Sequence, residues 1–503
     1  MPVAGAIVSD VVGSCAAMSS RRELMRGAAA VAAGMTVAWG DVFASVDADA
    51  APVHGYGPLR SDPAQVLDLP EGFSYRIISR AGETMDDGLQ VPGLADGMHA
   101  FRVGAQSVLV RNHELNVGAH DHAFAGRGPI ADAVAAKLYD SSVGAGGTTT
   151  LVLAADGLSV QRQFLSLAGT LRNCAGGATP WGTWLSCEES VVRRGEQGAL
   201  RDHGYVFEVP AAAPELIEAQ PLIAMGRFNR EAVAVDPDSG IVYQSEDRPD
   251  GLFYRFIPQQ PGRLAAGGRL QAMKIDGFAG QSTANRRAPA LATGSLGQSL
   301  RVPARSPLRV TWVDLNDVES ANDDLRHRGR AQGATTFVRG EGLAVQRHNS
   351  GVCVWLVCTE GGARDLGQLW RYQPMQRPAS RSARSDRATT SASLGADAGT
   401  MELFLEPSQA SMLHQGDNLA MAPNDDVLVC EDHRDRQRVV GVTASGGVYT
   451  LARNPRGDSE LAGACFAPAG GQDGGTVLYL NIQSRGLTLA ITGPWSRRDA
   501  RPR

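Results

Sequence analysis

Short apolar runs, each about four to six residues long and cut by turns, recur along the chain. The clearest unit starts at Glu231 and enters Ala-Val-Ala-Val. It turns through Asp236-Pro237-Asp238-Ser239-Gly240 and returns through Ile241-Val-Tyr to an acidic end at Glu246-Asp247. That pattern predicts a strand, a tight turn and a second strand. Related units begin near Gly97, Cys174, Glu341, Asp417 and Glu460, and end near Glu114, Glu188-Glu189, Glu360, Glu431-Asp432 and Gln483. After each comes a glycine and an aromatic or β-branched strand, as in 204–210, 251–258 and 367–374.

The copies lie at a mean spacing of about 72 residues. Six ordered copies of a two-part unit predict an all-β fold, a six-bladed β-propeller with about four strands per blade. The run Tyr75–Arg80 has no partner of its own, and is expected to complete the last blade and close the ring. Length alone suggests about three domains at roughly 150 residues each. The repeat replaces that with a single domain over 51–503. Stretches 278–308 and 375–398 are rich in Arg, Ser, Ala and Thr without periodicity, and read as flexible insertions on blade edges.

In a hairpin the start of the first strand and the end of the second are neighbours. If these are the inner strands, the leading and trailing residues of all units line one mouth of the central channel. That gathers Glu114, Cys174, Glu188, Glu189, Glu231, Glu246, Asp247, Glu341, Glu360, Asp417, Glu431, Asp432 and Glu460. Unit charges 4 Å apart still repel by about 4 kcal/mol at an effective dielectric of 20. Such a set needs protons, arginines or multivalent cations. Oxygen ligands suit hard cations such as Ca²⁺ and Fe³⁺, and one thiolate points to a transition metal at one position. The expected ligands are Cys174, Glu188, Glu189, Glu231, Glu246, Asp247, Glu341, Asp417, Glu431 and Glu460. Arg111, Arg172, Arg230, Arg248, Arg339 and Arg485 fall in or beside these elements. Metal ringed by guanidinium groups suits an oxyanion, phosphate above all.

Composition changes this picture in three places. Gly 59 and Pro 26 supply the turns a many-stranded fold requires. A net charge of -5 gives no basic excess for a nucleic-acid backbone, so a general DNA or RNA binder is excluded. Cysteines 187, 358 and 430 recur just before the trailing acids, which reads as packing and not as a disulfide framework.

The N-terminus adds a destination. Arg21-Arg22, a mild apolar run over 27–40 and the small-x-small Ala48-Asp49-Ala50 form a Tat-type export signal over 1–50. The apolar run is too short to span a membrane, which needs roughly 20 residues. Met18 would give a more ordinary start. The expected partners are the Tat machinery and a small phosphate ester. The expected location is the periplasm or outside the cell, as a monomer with no stable membrane insertion.

The run Asn173-Cys174-Ala-Gly-Gly-Ala-Thr-Pro-Trp-Gly-Thr-Trp-Leu-Ser-Cys-Glu188-Glu189 resembles the signature of the PhoX family of secreted alkaline phosphatases. Ser245–Arg248, Arg339–Gly342, Gly416–Leu419, Asn481–Gln483 and Thr492–Trp495 match as well, over about 60–496. The resemblance implies a six-bladed propeller around an iron–calcium cluster, with metal on Cys174, Glu231, Glu341 and Asp417. It implies phosphate on Arg339 and hydrolysis of phosphomonoesters without a side-chain nucleophile. The chain departs from the pattern at Arg230, where relatives carry His, and at Arg485, where they carry Pro. With Arg339, these two complete the expected catalytic set. Two other readings use the same carboxylate mouth: a Ca²⁺-dependent esterase or lactonase, and a non-catalytic binding propeller stabilised by calcium.

Overall fold

A computed structural model describes residues 55–127, 130–286, 300–348, 351–375, 398–435, 437–468 and 476–495. The expected signal over 1–50 lies outside them, as do 287–299 and 376–397 of the two expected insertions. The described chain is all-β apart from short helical turns, and its antiparallel sheets pack in a propeller-like arrangement.

The first meander is Ala95–Val103, Gln106–His113, Gly146–Leu153 and Val160–Thr170. The second has three strands, Asn173–Ala178, Thr183–Glu188 and Val206–Pro210. The third runs Arg230–Val235, Val242–Glu246, Gly251–Pro258 and Gly268–Ile275. The fourth runs Gly340–His348, Gly351–Cys358, Gln368–Pro374 and Gly399–Leu405. Strand Leu308–Leu315 pairs with the outer strands of both, joining the third and fourth into one sheet. The fifth is Gly416–Met421, Val427–Glu431, Arg438–Val442 and Val448–Arg453. The last is Leu461–Pro468, Thr476–Ile482 and Leu487–Thr492, with the early strand Ser74–Arg80 on its outer edge.

The second strand of each meander is buried on both faces over nearly its whole length, because each meander is sandwiched between two others. Val427–Glu431, for example, is buried at every position. One apolar cluster joins the first meander to the second through Val110, Trp184 and Phe207. Another joins the fifth to the last through Leu428, Tyr449, Leu480 and Ile491. A third joins the last back to the first through Tyr479, Cys465, Leu109 and Leu151. Truncating a side chain such as Leu480 to alanine costs about 2–5 kcal/mol. The leading strands of all six meanders surround a central cavity of about 270 Å³.

The 278–308 stretch is more built-in than its composition suggests. Asn285 Nδ2 donates to the carbonyl of Val302 at 2.9 Å and to Glu406 at 2.7 Å. Ser282 forms a bridge to Thr336. Buried polar pairing, which composition does not reveal, anchors both flanks of the insertion.

Candidate metal centre

Every leading strand carries a β-bulge at the same place. The register slips between Ala95 and Met98, Asn173 and Gly176, Arg230 and Val233, Gly340 and Leu343, Gly416 and Leu419, and Ala462 and Cys465. A bulge sets two residues opposite one and re-aims the first side chain. The first bulge residues are Asp96, Cys174, Glu231, Glu341, Asp417 and Gly463. The second are Gly97, Ala175, Ala232, Gly342, Asn418 and Ala464, mostly small because the inner strands crowd there. A Cβ on Gly342 would lie 2.4 Å from the carbonyl oxygen of Asp417.

Neighbouring meanders hold these bulges in place. Asn112 Nδ2 donates to the carbonyls of Cys174 and Ala175 at 2.8 Å each. Ser245 Oγ donates to Glu341 O at 2.5 Å, and Asn481 Nδ2 to Asp96 O at 2.6 Å.

A second tier follows the second strands. The backbone N–H groups of Glu114, Glu189, Asp247, Thr359, Asp432 and Gln483 donate to the carbonyls of Leu94, Arg172, Asn229, Arg339, Gln415 and Glu460. Their side chains therefore meet the bulge residues at one mouth. Four overlapping triads result: Asp96-Glu114-Cys174, Cys174-Glu189-Glu231, Glu231-Glu341-Asp417 and Asp417-Asp432-Glu460. Within each, one ligand atom per residue lies within 4.8 Å of the others. The Cys174 thiol donates to Glu231 Oε1 at 3.0 Å.

Burial, then mutual repulsion, pushes the carboxyls of Asp96, Glu231, Glu341 and Glu460 well above their usual range. Burial raises Glu189 as well, against the pull of Arg172. Asp417 is raised to about 7, and the Cys174 thiol is pushed well up. Buried Asp96 Oδ1 and Glu231 Oε2 have no hydrogen-bond partner. Eight carboxylates, two of them with an orphaned oxygen, and one thiol form a donor set that fits hard cations, with one softer position at Cys174.

The structure sorts the expected residues. Cys174, Glu189, Glu231, Glu341, Asp417 and Glu460 come together. Asp247 sits beside them, gripped by Arg339 Nε at 2.8 Å and Nη2 at 2.9 Å. Burial opposes its ionisation, but Arg339 holds its carboxyl below the ordinary value. Glu188, Glu246 and Glu431 do not join the cluster, and the expectation for them is corrected. Side chains alternate along a strand, so the acid immediately before each second-tier residue points the other way. Glu188 accepts from the backbone N–H groups of Leu171 and Gly204. Glu246 accepts from Tyr254 Oη, and Glu431 accepts from Arg438. Glu360 pairs with Arg286 instead, and Thr359 takes its place by donating to Glu341 Oε1 at 2.9 Å.

Two expected catalytic arginines are also elsewhere. Arg230 is buried behind Glu231, where it donates to Gln244 and to the carbonyls of Gly204, Met225 and Gly226. Arg485 donates to the carbonyl of Gln65 at an exposed edge. Arg339 does reach the cluster, and Arg172 joins it, bridging Glu114 at 2.9 Å and Glu189 at 2.5 Å. Both stand two residues before a bulge, in left-handed backbone with φ of 52° and 46°.

Asp96 is absent from the sequence reading, which gathered Glu114 and Asp432 at the mouth without placing them among the ligands. The signal for Asp96 was present: an acid followed by a small residue, as in Glu341-Gly342, but the preceding Leu94-Ala95 hid the start of the unit. Gly463 explains the sixth position. Its φ is 62°, and a Cβ there would meet Asp96 O at 2.2 Å, so Glu460 supplies the carboxylate from three residues upstream.

The family described as alkaline phosphatase PhoX matches residues 54–162 and 154–486. The chain belongs to that family. Membership makes it a phosphatase of a metal-dependent, secreted or periplasmic group. Pseudomonas fluorescens PhoX, solved with vanadate as a transition state analogue, is similar in fold at TM-score 0.60 and 15% identity, covering 88% of this chain and 98% of that one. A Xanthomonas campestris gluconolactonase aligns over 87% of this chain and 98% of its own at 11% identity, but only at TM-score 0.37. Comparison with curated proteins gives no match.

Proposed function

We propose that this PhoX-family protein hydrolyses small phosphate monoesters at the carboxylate mouth. The six meanders are read as the blades of one propeller over 51–503, closed by Ser74–Arg80. The observation that carries the functional reading is the unbroken run of buried ligand atoms from Asp96 to Glu460. Asp96, Glu114, Cys174, Glu189, Glu231, Glu341, Asp417, Asp432 and Glu460 would hold Ca²⁺ and Fe³⁺. When bound, those cations supply Lewis-acid polarisation of the phosphoryl oxygens.

The chain's own residues do the rest. To act as ligands, Cys174 and the carboxyls would give up their protons, which would link cation uptake to proton release. Arg339 and Arg172 are the guanidinium groups at the mouth, about 20% and 34% exposed, and so reach both solvent and the buried acids. They bind and orient the peripheral phosphate oxygens, Arg339 through Nη1, since its Nε and Nη2 are held by Asp247 and Glu341. Thr359 holds the Glu341 carboxylate in place.

Residues 1–50 are assigned as a Tat-type signal that delivers the protein to the periplasm or beyond. Among the described residues no helix is long and apolar enough to cross a membrane.

Metal analysis with phosphomonoesterase assay tests the reading. Purified protein should hold stoichiometric iron and calcium, with a visible thiolate-to-iron colour that Cys174→Ala removes. Glu341→Ala should abolish turnover. Turnover that survives Glu341→Ala, or lactone hydrolysis without phosphatase activity, overturns it.

A further inference from the structure

Beside the carboxylate mouth lies a second feature, a groove of about 890 Å³. Strand direction fixes its position. In the fifth meander Val427–Glu431 ends at the mouth and Arg438–Val442 starts there, while Val448–Arg453 returns to it. The turn after Glu431 and the connection over 454–460 therefore share the mouth face. They are also tied together. The backbone N–H of Asn454 donates to Gln437 O at 2.9 Å, and that of Ser459 to Gln437 Oε1 at 3.2 Å. Asn454 Nδ2 donates to Ser459 O at 2.6 Å. The groove is thus a built depression between two cross-braced segments.

Four guanidinium groups line it, from Arg434, Arg438, Arg453 and Arg456, against one carboxylate, Asp435. Two of the four are committed: Arg438 to Glu431 and Arg453 to Asp68, each at 2.6 Å. Arg434 and Arg456 are exposed, and among the described residues neither has a carboxylate partner. Both are close to the cluster along the chain. Arg434 follows Asp432 by two residues, so their Cα atoms are at most about 7 Å apart. Arg456 precedes Glu460 by four, at most about 14 Å. A long guanidinium side chain spans much of such a gap. Arg172 and Arg339 pair with Glu114, Glu189, Asp247 and Glu341, so Arg434 and Arg456 are the guanidinium groups that adjoin the Asp432 and Glu460 end of the cluster.

We propose that Arg434 and Arg456 form a subsite for a second anionic group on the substrate, so that the preferred esters carry another phosphate or a carboxylate. This rests on the phosphatase reading of the neighbouring mouth. Two exposed ion pairs together give about tenfold in affinity.

Calorimetric binding of propane-1,3- and hexane-1,6-diphosphonate to native protein, against propyl- and hexylphosphonate, tests the subsite without turnover. The better diphosphonate should bind about tenfold tighter than its monophosphonate partner. In Arg434→Ala/Arg456→Ala that preference should fall to near unity, with binding of the monophosphonates as in native protein. These are surface residues, so the double variant should keep the native unfolding midpoint. A preference that survives the double variant, or equal binding of both classes by native protein, overturns the subsite alone. Failure of native protein to bind any phosphonate overturns the phosphatase reading and the subsite with it.

Discussion

Replacing Glu246 by Gln separates the two faces of a single strand end. Glu246 is fully buried. Its Oε2 accepts from Tyr254 Oη at 2.7 Å and from the Leu252 N–H at 3.1 Å. Its Oε1 has no hydrogen-bond partner, with Arg326 Nη1 at 3.7 Å. Burial lifts its carboxyl from 4.5 to about 7, against the opposing pull of Tyr254 and Arg326. Below 4.5 the folded and unfolded chains are both protonated at this group. Between 4.5 and about 7 the unfolded chain gives up the proton while the folded chain keeps it, so stability falls as pH rises. Above about 7 the loss is complete, at about 3 kcal/mol. Glu246→Gln mimics the protonated form, keeps the Tyr254 contact and does not titrate. Urea unfolding of both proteins from about pH 5 to about pH 8 should give curves that diverge with pH, the variant gaining about 3 kcal/mol on the native protein. Metal content and turnover should stay native, because the side chain faces away from the cluster. Parallel curves would refute the burial argument, and loss of metal in the variant would restore Glu246 as a ligand.

Arg230→Met should lose about 3–5 kcal/mol of unfolding free energy in urea, since it strands buried carbonyls that the guanidinium now satisfies. Its kcat at a permissive temperature should match native protein. Gly463→Ala should cost about 2–4 kcal/mol in urea unfolding and reduce metal stoichiometry, because the added methyl drives into the Asp96 carbonyl. Arg172→Gln and Arg339→Gln should each lower kcat/KM for a phosphomonoester about 100-fold, whereas Arg485→Gln should leave it unchanged. Arg21→Lys with Arg22→Lys should leave the protein in the cytoplasm, as read by fractionation and immunoblot.

How much of this could be read from the chain depended on what each feature needed. Hairpins declare themselves locally, through turn residues between apolar runs, and the order of the meanders followed from counting them. Leading ligands were readable because an acid inside an apolar strand start has no cheap alternative role. The trailing pairs were not. Glu188-Glu189, Glu246-Asp247 and Glu431-Asp432 each place one member inward and one outward, and nothing in an acidic dipeptide says which. The strand's phase decides, and that phase is set by the bulge in the partner strand. The arginines misled for a related reason. Arg230 adjoins Glu231 in sequence, and strand alternation therefore sends it to the opposite face. Arg172 sits next to the signature cysteine motif, but its reach toward Glu114 depends on a left-handed turn that few sequences announce.

The mouth is stitched by hydrogen bonds between the two ends of the chain. Gln483 donates to Asp96 and Glu114, at separations of 387 and 369 residues. Contacts so remote in sequence form late, since loop closure must precede them. A nascent chain still lacking its final hairpin therefore has the early acids but not the scaffold that clusters them. Cations meeting such a chain find scattered, solvated carboxylates with little affinity. On the proposed reading, capture would begin only when the last strands dock, so bound metal would serve as a tally of completed molecules, and a chain clipped at its C-terminal hairpin would be left uncounted.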